Sequence, residues 1–385
     1  MRRKKKSDQL RKIIYIFLVY KILIISIAYA SYILIPENFT RRKNSDTPLL
    51  DPFAQLDARA YLDIAKNGYN ADFGSGATNY GWFPLYPFMI KAFSFIGYEL
   101  AALLIANIFS FVAVYLLYIL VSEEIDKKVA YRTILYTLFF PTAFFLSVMY
   151  TESLFLSLSL ATFIFAKRNK WHYSGVCGFL ASMTRTQGFL LMLPIAYMYL
   201  RSKNFKFQNI DRKIIFVIII PLGLFAVFFY HYLITGDPFI QFANHLKYER
   251  ALTFPWKSIE ITVKEILTET PTKIFYNSLN LFITALMVSL AYLSRKQLKK
   301  EYFIYFSASI LLPLLSATIA SITRFSLVIF PAFMIIAIQS KKHKTLINVI
   351  YAFSTLLMLL STAWYANEEI DIKGLINFIV MQRNI

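Results

Sequence analysis

The sequence is poor in charge and has almost no cysteine. Only 16% of its 385 residues are charged, whereas 57% are apolar and 17% are aromatic, which excludes an ordinary soluble domain of this length. The single cysteine, Cys177, excludes a disulfide framework and a cysteine metal site. The sequence also lacks a phosphate-binding loop, a Gly-x-Gly-x-x-Gly turn and a nucleophile elbow, which argues against a nucleotide-binding module within it.

Long apolar runs separate the charged residues. The net charge of +19 is scattered between these runs, whereas a nucleic-acid-binding protein gathers its basic residues on one surface. Several runs approach the roughly 20 residues that a helix needs to cross a bilayer. The sequence therefore predicts an all-α polytopic membrane protein, one integral membrane domain over residues 1–385, with about eleven spans. The spans are placed at 13–35, 99–121, 133–150, 152–166, 172–184, 187–200, 214–234, 274–293, 302–322, 325–339 and 345–365.

The charges differ between the two sides of this bundle. More than half of the 41 basic residues lie in the N-terminus and in the short segments on its side. Most of the 22 acidic residues lie in the first outer loop, 36–98, the second outer loop, 235–273, and the C-terminal tail. The positive-inside rule then predicts a cytoplasmic N-terminus. Any site built from the long loops is expected on the extracytoplasmic or lumenal side.

Three predicted spans, 172–184, 187–200 and 325–339, are too short to cross a bilayer straight. Short helices that meet at a polar turn are typical of re-entrant or cavity-lining segments, because unpaired backbone at membrane depth must face protein or water. The turns contain Arg185 and Arg324. Each arginine could pair with an acid in the protein or hold a lipid phosphate through its planar guanidinium group.

The first outer loop contains an amphipathic pattern. Apolar residues at helical spacing predict a helix over 58–67, lying against the membrane surface and ended by Gly68. Asp57 falls at its N-cap, where a carboxylate could satisfy free N–H groups or act as a general base. Tyr61 and Asp63 on the same helix are substrate-binding candidates, although Asp63 could equally pair with Lys66 on a solvated face.

Other polar and aromatic residues lie close to the predicted membrane surface. Glu152 stands between two apolar stretches, where a carboxylate is costly unless it is paired or functional; it could also cap the following helix. Trp82 and Tyr86, in the string WFPLYP, could anchor the loop at the interface or stack on a sugar. Gln241 and Arg250 of the second outer loop are further substrate-binding candidates.

Six strings of the sequence resemble, in order, the pattern of the PIG-V family, the GPI mannosyltransferase 2 type of membrane mannosyltransferases. The resemblance covers roughly residues 50–335, and the Tyr-x-Glu-Ser-x-Phe and Phe-Pro-Leu-Tyr-Pro patterns are its specific parts. The strings are LDARAYLDIAKNGY, WFPLYP, FFPTAFFLSVMYTESLF, ASMTRTQGFL, TGDPFIQFANHLKYER and ITRFSLVIFP.

The resemblance implies a GT-C fold and transfer of mannose from a polyprenyl-phosphate donor, dolichyl phosphate mannose in eukaryotes, to a hydroxyl of a glycolipid or glycan. The family's first-loop aspartate falls on Asp57, its glutamate on Glu152 and its arginines on Arg185 and Arg324. The family usually has tryptophan before that aspartate, whereas this chain has Leu56. The small outer loops also leave open an acceptor other than a GPI intermediate.

These residues predict one inverting displacement, with Asp57 as general base, Glu152 as a second catalytic candidate and arginines at the leaving phosphate. The mechanism requires no cofactor, and a divalent cation held by the carboxylates is left open. A multi-span transporter or lipid flippase is the alternative; it predicts two related halves and ionisable residues near span centres, and Lys21 and His231 are the residues weighed for it within the spans. An assembly subunit with an inactive site is a third possibility.

Overall fold

The protein is described by a computed structural model that covers residues 2–35, 47–71, 78–247, 251–268 and 270–368. Its regular structure is helical, as the sequence predicts, apart from one isolated antiparallel bridge between Leu252 and Ser316. The helices are α1 Arg2–Leu34, α2 Ala58–Asn67, α3 Leu85–Ala92, α4 Tyr98–Glu124, α5 Lys127–Leu138, α6 Glu152–Lys167, α7 Trp171–Ser182, α8 Met192–Ser202, α9 Ile215–Thr235, α10 Ile240–Lys247, α11 Pro255–Thr268, α12 Pro271–Gln297, α13 Lys300–Leu314, α14 Ile322–Ser326, α15 Phe330–Gln339 and α16 Lys344–Ala366. Short 3₁₀ helices lie at Pro48–Phe53, Ser94–Ile96, Ala143–Leu146, Thr186–Leu191, Phe207–Asn209 and Arg212–Ile214.

Within the described residues, five helical segments are long and apolar enough to cross a membrane, namely Asp8–Leu34, Tyr98–Glu124, Arg212–Thr235, Lys273–Gln297 and Lys344–Ala366. Much of their apolar surface faces outward: Ile218, Phe225 and Phe229 of α9 are all exposed. Exposed apolar side chains in such number need lipid around them. The chain is therefore an integral membrane protein, and the remaining predicted spans are shorter helices packed among these five.

Three predicted spans do not continue as unbroken helices, and the one expected at 325–339 is interrupted between Ser326, the end of α14, and Phe330, the start of α15. The span expected at 133–150 ends as a helix at Leu138, three residues before Pro141, and the chain then turns through irregular backbone to Thr151. Proline lacks an N–H group and disfavours helical backbone before it. The span expected at 302–322 likewise ends at Leu314, directly after Pro313. Pro141 therefore accounts for the first break, whereas α13 continues through Pro313 and ends one residue after it.

Helix α1 supports the irregular segment at 139–151. The Lys21 ammonium group donates hydrogen bonds to the carbonyl of Leu146, at 3.0 Å, and to the hydroxyl of Ser147, at 2.8 Å. The Tyr20 hydroxyl donates to the carbonyl of Ala143 at 2.6 Å. Backbone carbonyls inside a membrane protein need such partners. Lys21, one of the two ionisable residues weighed for the transporter alternative, therefore has a structural role.

The predicted helix of the first outer loop has the expected bounds, and Gly68 ends it with a φ of +82°. Its apolar face, however, packs against protein and not only against the membrane surface. Tyr61, Leu62 and Ala65 are buried in the main hydrophobic core. Helix α2 is thus fixed to the bundle, which gives the residue at its N-terminus a defined position.

Helices α7 and α9 approach each other closely through glycines. A β-carbon at Gly223 would overlap the carbonyl oxygen of Phe179, and one at Gly175 would overlap the carbonyl oxygen of Phe216. Small residues at helix crossings let backbones come into contact inside membranes. This contact holds α7, whose C-terminal end leads directly to Arg185.

We expect Gly223→Ala to destabilise the protein. Alanine favours a helix over glycine by up to about 1 kcal/mol, but overpacking a tight contact costs about 1–3 kcal/mol, so the apparent melting temperature in detergent should fall. Leu222→Ala, at an exposed neighbour, is the control and should change it little. An unchanged or higher melting temperature for Gly223→Ala would contradict the close α7–α9 contact.

Candidate functional site

Four residues that are distant in sequence meet at one end of the bundle. Asp57 is the N-cap of α2 and Glu152 is the first residue of α6. Arg185 stands between α7 and the 3₁₀ turn that follows it, and Arg324 lies in α14. We call these four side chains the acid–arginine cluster. It contains the two acids and the two arginines that the resemblance marks.

Glu152 is the centre of the acid–arginine cluster. Its side chain is completely buried, and one oxygen, Oε1, forms an ion pair with Arg185 Nη1 at 2.6 Å and accepts a hydrogen bond from Arg324 Nε. The second oxygen, Oε2, has no hydrogen-bond partner among the described residues. A buried carboxylate is stable only when such partners compensate for its lost hydration. Glu152 thus fixes both guanidinium groups in one place.

Asp57 is the accessible acid of the cluster. Its carboxylate is 33% exposed and accepts a hydrogen bond from Arg324 Nη1, whereas the carboxylate of Glu152 is 0% exposed. The side chain of Asp57 makes no capping hydrogen bond to α2. The carboxylate therefore does not act as a helix cap. It contacts Arg324 and is open to solvent, where a general base could accept the proton of a hydroxyl group.

Aromatic rings pack against the guanidinium groups of both arginines. The guanidinium carbon of Arg324 lies 4.6 Å from the ring centre of Tyr150 and 5.1 Å from that of Phe145. The guanidinium of Arg185 lies 5.4 Å from the ring of Phe325. Stacked rings orient a guanidinium group and keep water from one of its faces. The remaining N–H groups then point along defined directions.

Phe145, Tyr150 and Thr151 lie in one of the strings that resemble the PIG-V pattern, but none of them was predicted as a site residue. Thr151 accepts a hydrogen bond from Arg185 Nη1 at 3.2 Å, so it also supports the arginine. The available signal was position, because all three lie in the stretch that leads to Glu152. Their partners are too distant in sequence for spacing to reveal.

Tyr61 and Tyr86 lie beneath the cluster. Tyr61 is buried, its hydroxyl lies 3.4 Å from Thr151 Oγ1, and its ring packs edge-on against the ring of Tyr86. Burial raises the pKa of Tyr61 to about 12, so it remains a neutral phenol. Tyr86 is completely buried and donates to the carbonyl of Ala102 at 2.8 Å. The structure thus places Tyr86 in the packing of α3 on α4, away from a substrate surface.

Asp63 is half-buried and has three hydrogen-bond partners. Its carboxylate accepts hydrogen bonds from the side-chain amides of Asn67, Asn70 and Asn79, at 2.7, 2.9 and 2.7 Å. These bonds tie the end of α2 to the loop that returns from it. The three amide partners give the Asp63 carboxylate a structural role in this loop, and its role as a substrate contact stays a prediction.

The other predicted substrate contacts lie around the same returning loop. The Tyr69 hydroxyl donates a hydrogen bond to the carbonyl of Trp82. Gln241 is buried and donates to the carbonyl of Gly81 at 3.3 Å, so it fastens the second outer loop to the first. Arg250 lies outside the described residues. In the described part of the chain, no group of three or more histidine, cysteine, aspartate or glutamate side chains is placed to hold a metal ion.

The opposite end of the bundle carries a different charge pattern. Glu124 pairs with Lys167 at 2.6 Å and with Lys299 at 2.7 Å. Arg201 donates two hydrogen bonds to Glu301, at 2.8 and 2.9 Å. These residues line a cavity of about 300 Å³. Glu152 and Lys167 are the two ends of α6, so about 22 Å of helix separates this basic end from the acid–arginine cluster.

Comparison with known proteins finds fold-level likeness only. No family model matches the chain, and no curated protein matches it. Among solved structures, the chain is similar to ArnT from Cupriavidus metallidurans bound to undecaprenyl phosphate, with a TM-score of 0.48, 12% identity and coverage of 82% of this chain. It is also similar to the Archaeoglobus fulgidus oligosaccharyltransferase tethered with an acceptor peptide, with a TM-score of 0.43, 14% identity and coverage of 92%.

This chain spans 59% and 55% of the lengths of those two proteins. Likeness of this degree assigns no activity to it. The resemblance to the PIG-V family therefore stays a prediction from the sequence, and the functional argument depends on the acid–arginine cluster.

We expect Glu152→Gln to destabilise the protein strongly, because it leaves two guanidinium groups without their shared buried charge. Removing one partner of a buried ion pair costs roughly 3–5 kcal/mol. The measurement is thermal unfolding in detergent. Glu260→Gln is the matched control: Glu260 also pairs with two cations, Lys257 and Lys264, but it is solvent-exposed. Equal melting temperatures for Glu152→Gln and wild type would show that Glu152 does not anchor the cluster.

Proposed function

We propose that the protein is a membrane glycosyltransferase that moves a hexose, mannose by the sequence resemblance, from a polyprenyl-phosphate donor to a hydroxyl group of a glycolipid or glycan. One observation carries the proposal: a partly exposed carboxylate, Asp57, touches one of two arginines that a single buried carboxylate holds together. A base next to a fixed cationic pair suits a reaction that removes a proton and expels a phosphate.

The reaction is a single displacement. Asp57 accepts the proton of the acceptor hydroxyl while the hydroxyl oxygen forms a bond to the anomeric carbon of the sugar. The bond between that carbon and the phosphate oxygen breaks, and the lipid phosphate leaves with the electron pair. Because the new bond forms opposite the leaving group, the anomeric configuration inverts.

Arg185 and Arg324 stabilise the leaving phosphate. The phosphate oxygen gains negative charge as the bond breaks. Fixed guanidinium groups therefore stabilise the transition state more than they stabilise the donor in its ground state. Among the described residues, the polar contacts of Arg185 with Thr151 and Glu152 both run through Nη1, which leaves its Nη2 and Nε groups to donate to phosphate. Glu152 does not touch a substrate in this mechanism; it holds the arginines.

The site is proposed to face the extracytoplasmic or lumenal side. Basic residues predominate at the far end of α6, where Lys167, Arg201 and Lys299 converge, and basic ends of membrane bundles favour the cytoplasm. The acid–arginine cluster lies at the other end. A donor on an isoprenoid tail would reach it from the surrounding lipid, so the proposed partners are the polyprenyl-phosphate sugar, the acceptor and membrane lipids, without nucleic acid.

Asp57→Asn is expected to abolish sugar transfer while leaving the fold intact, because the amide cannot accept the proton. General-base catalysis contributes about 10²–10⁴-fold, so the rate should fall by at least about 100-fold. The measurement is transfer of radiolabelled mannose from polyprenyl-phosphate mannose to a membrane-glycolipid extract by purified protein in detergent. Asp237→Asn, an exposed aspartate of the second outer loop, is the matched control and should retain activity.

Two results of that assay would refute the proposed function. The first is full activity of Asp57→Asn. The second is no transfer by wild type from polyprenyl-phosphate mannose or polyprenyl-phosphate glucose, with movement of a lipid or solute across liposomes by the same protein. The second result would establish the transporter alternative.

Arg185→Lys tests the phosphate contact. Lysine keeps the charge but loses the planar fork that can donate two hydrogen bonds to one phosphate, so kcat should fall by about 10–100-fold, or 1.4–2.8 kcal/mol of transition-state stabilisation. Arg201→Lys removes an equally paired arginine at the opposite end and should leave transfer unchanged. Equal kinetics for wild type and Arg185→Lys would remove Arg185 from the mechanism.

A further inference from the structure

The residue before the proposed base has an unusual backbone conformation. Leu56 has a φ of +55°, in the left-handed region that leucine rarely adopts. Its conformation sets the direction in which the chain enters α2 and therefore where Asp57 lies. A bulky residue stays in this region only when the surrounding structure holds it there.

Two buried tyrosines hold this turn from both sides of Leu56. The Tyr365 hydroxyl, at the end of α16, lies 3.0 Å from the carbonyl oxygen of Gln55 and 3.2 Å from that of Phe53. The Tyr150 hydroxyl accepts a hydrogen bond from the Asp57 N–H group at 3.0 Å and donates to the carbonyl of Gln55 at 3.3 Å. The peptide groups on either side of Leu56 are thus both fixed.

Tyr150 also links this turn to the cationic side of the site. Its ring lies under the guanidinium of Arg324, which in turn binds the carboxylate of Asp57. The two tyrosine rings pack edge-on, with their centres 5.8 Å apart. One phenol therefore contacts both the backbone of the proposed base and the side chain of its partner.

We infer that Tyr150 and Tyr365 are positioning residues that hold Leu56 in its left-handed conformation and so place the Asp57 carboxylate against Arg324. This inference rests on the proposed function where it concerns the reaction. The structural part, a strained turn held by two phenols, stands without it. Neither tyrosine touches a substrate, since both are almost completely buried.

The test is rescue of Tyr365→Phe by a residue that favours the left-handed region. Tyr365→Phe alone should lower kcat by about 10–100-fold, because a misplaced catalytic group is costly, while KM for the polyprenyl-phosphate sugar stays within about threefold. Asparagine adopts left-handed backbone more readily than leucine. The double variant Leu56→Asn/Tyr365→Phe should therefore recover to within about fivefold of the Leu56→Asn single variant.

Leu56→Ala is the matched control for side-chain truncation, because alanine has no left-handed preference. Leu56→Ala/Tyr365→Phe should show no recovery relative to the Leu56→Ala single variant. Tyr199→Phe removes another buried phenol that donates to a backbone carbonyl, that of Asp211 at the opposite end, and should leave kcat unchanged. Equal rescue by alanine and asparagine, or an equal loss in Tyr199→Phe, would overturn the inference.

Hydrogen exchange of the peptide that covers 53–58 provides a readout that needs no activity. Tyr365→Phe should speed exchange there by about tenfold or more, since a 1.4 kcal/mol change in opening is tenfold, and Leu56→Asn should reverse this effect in the double variant. If wild type transfers no sugar, the proposed function fails while exchange still decides the inference. Unchanged exchange in Tyr365→Phe would show that the phenol does not hold the turn.

Discussion

The arrangement of the site depends on one buried carboxylate. Glu152 brings two arginines to the same point through a single oxygen atom, and its complete burial makes that attraction strong and insensitive to salt. Two guanidinium groups would otherwise repel each other. With Asp57 the cluster is formally neutral, so an incoming lipid phosphate adds a negative charge to a site that already holds two cations in place. The cost of burying the Glu152 carboxylate is offset only while both arginines are present.

The membrane determines where such a cluster can be built. Helices satisfy their own backbone within lipid, so irregular backbone occurs only where protein can pair with it. The segment at 139–151 meets this condition through Lys21 and Tyr20 of α1, and it can therefore carry Tyr150 and Thr151 to the arginines. A buried lysine that first suggests transport thus acts as a hydrogen-bond donor to backbone.

Sequence periodicity predicted α2 with its correct bounds, because an apolar stripe and a terminal glycine are local signals. It also predicted most of the long spans. It was wrong about unbroken helices over 133–150, 302–322 and 325–339, where Pro141 and hydrogen bonds from distant side chains decide the outcome. Asp57, Glu152, Arg185 and Arg324 were identified individually, but their contacts cross up to 267 positions, and spacing contains no information on such pairs. The role of Asp63 was missed because its asparagine partners come from a returning loop.

Leu56 connects the stability of this protein to its proposed chemistry. A non-glycine residue in a sparsely populated backbone region costs about 1–3 kcal/mol. A residue free to relax would let the Asp57 carboxylate move away from Arg324. Two buried tyrosines offset that cost with hydrogen bonds to the carbonyl of Gln55. Tyr365 lies on α16 and Tyr150 lies in the segment before α6. Asp57, the acid that must remain accessible, is thereby held in place by two tyrosines that are themselves buried.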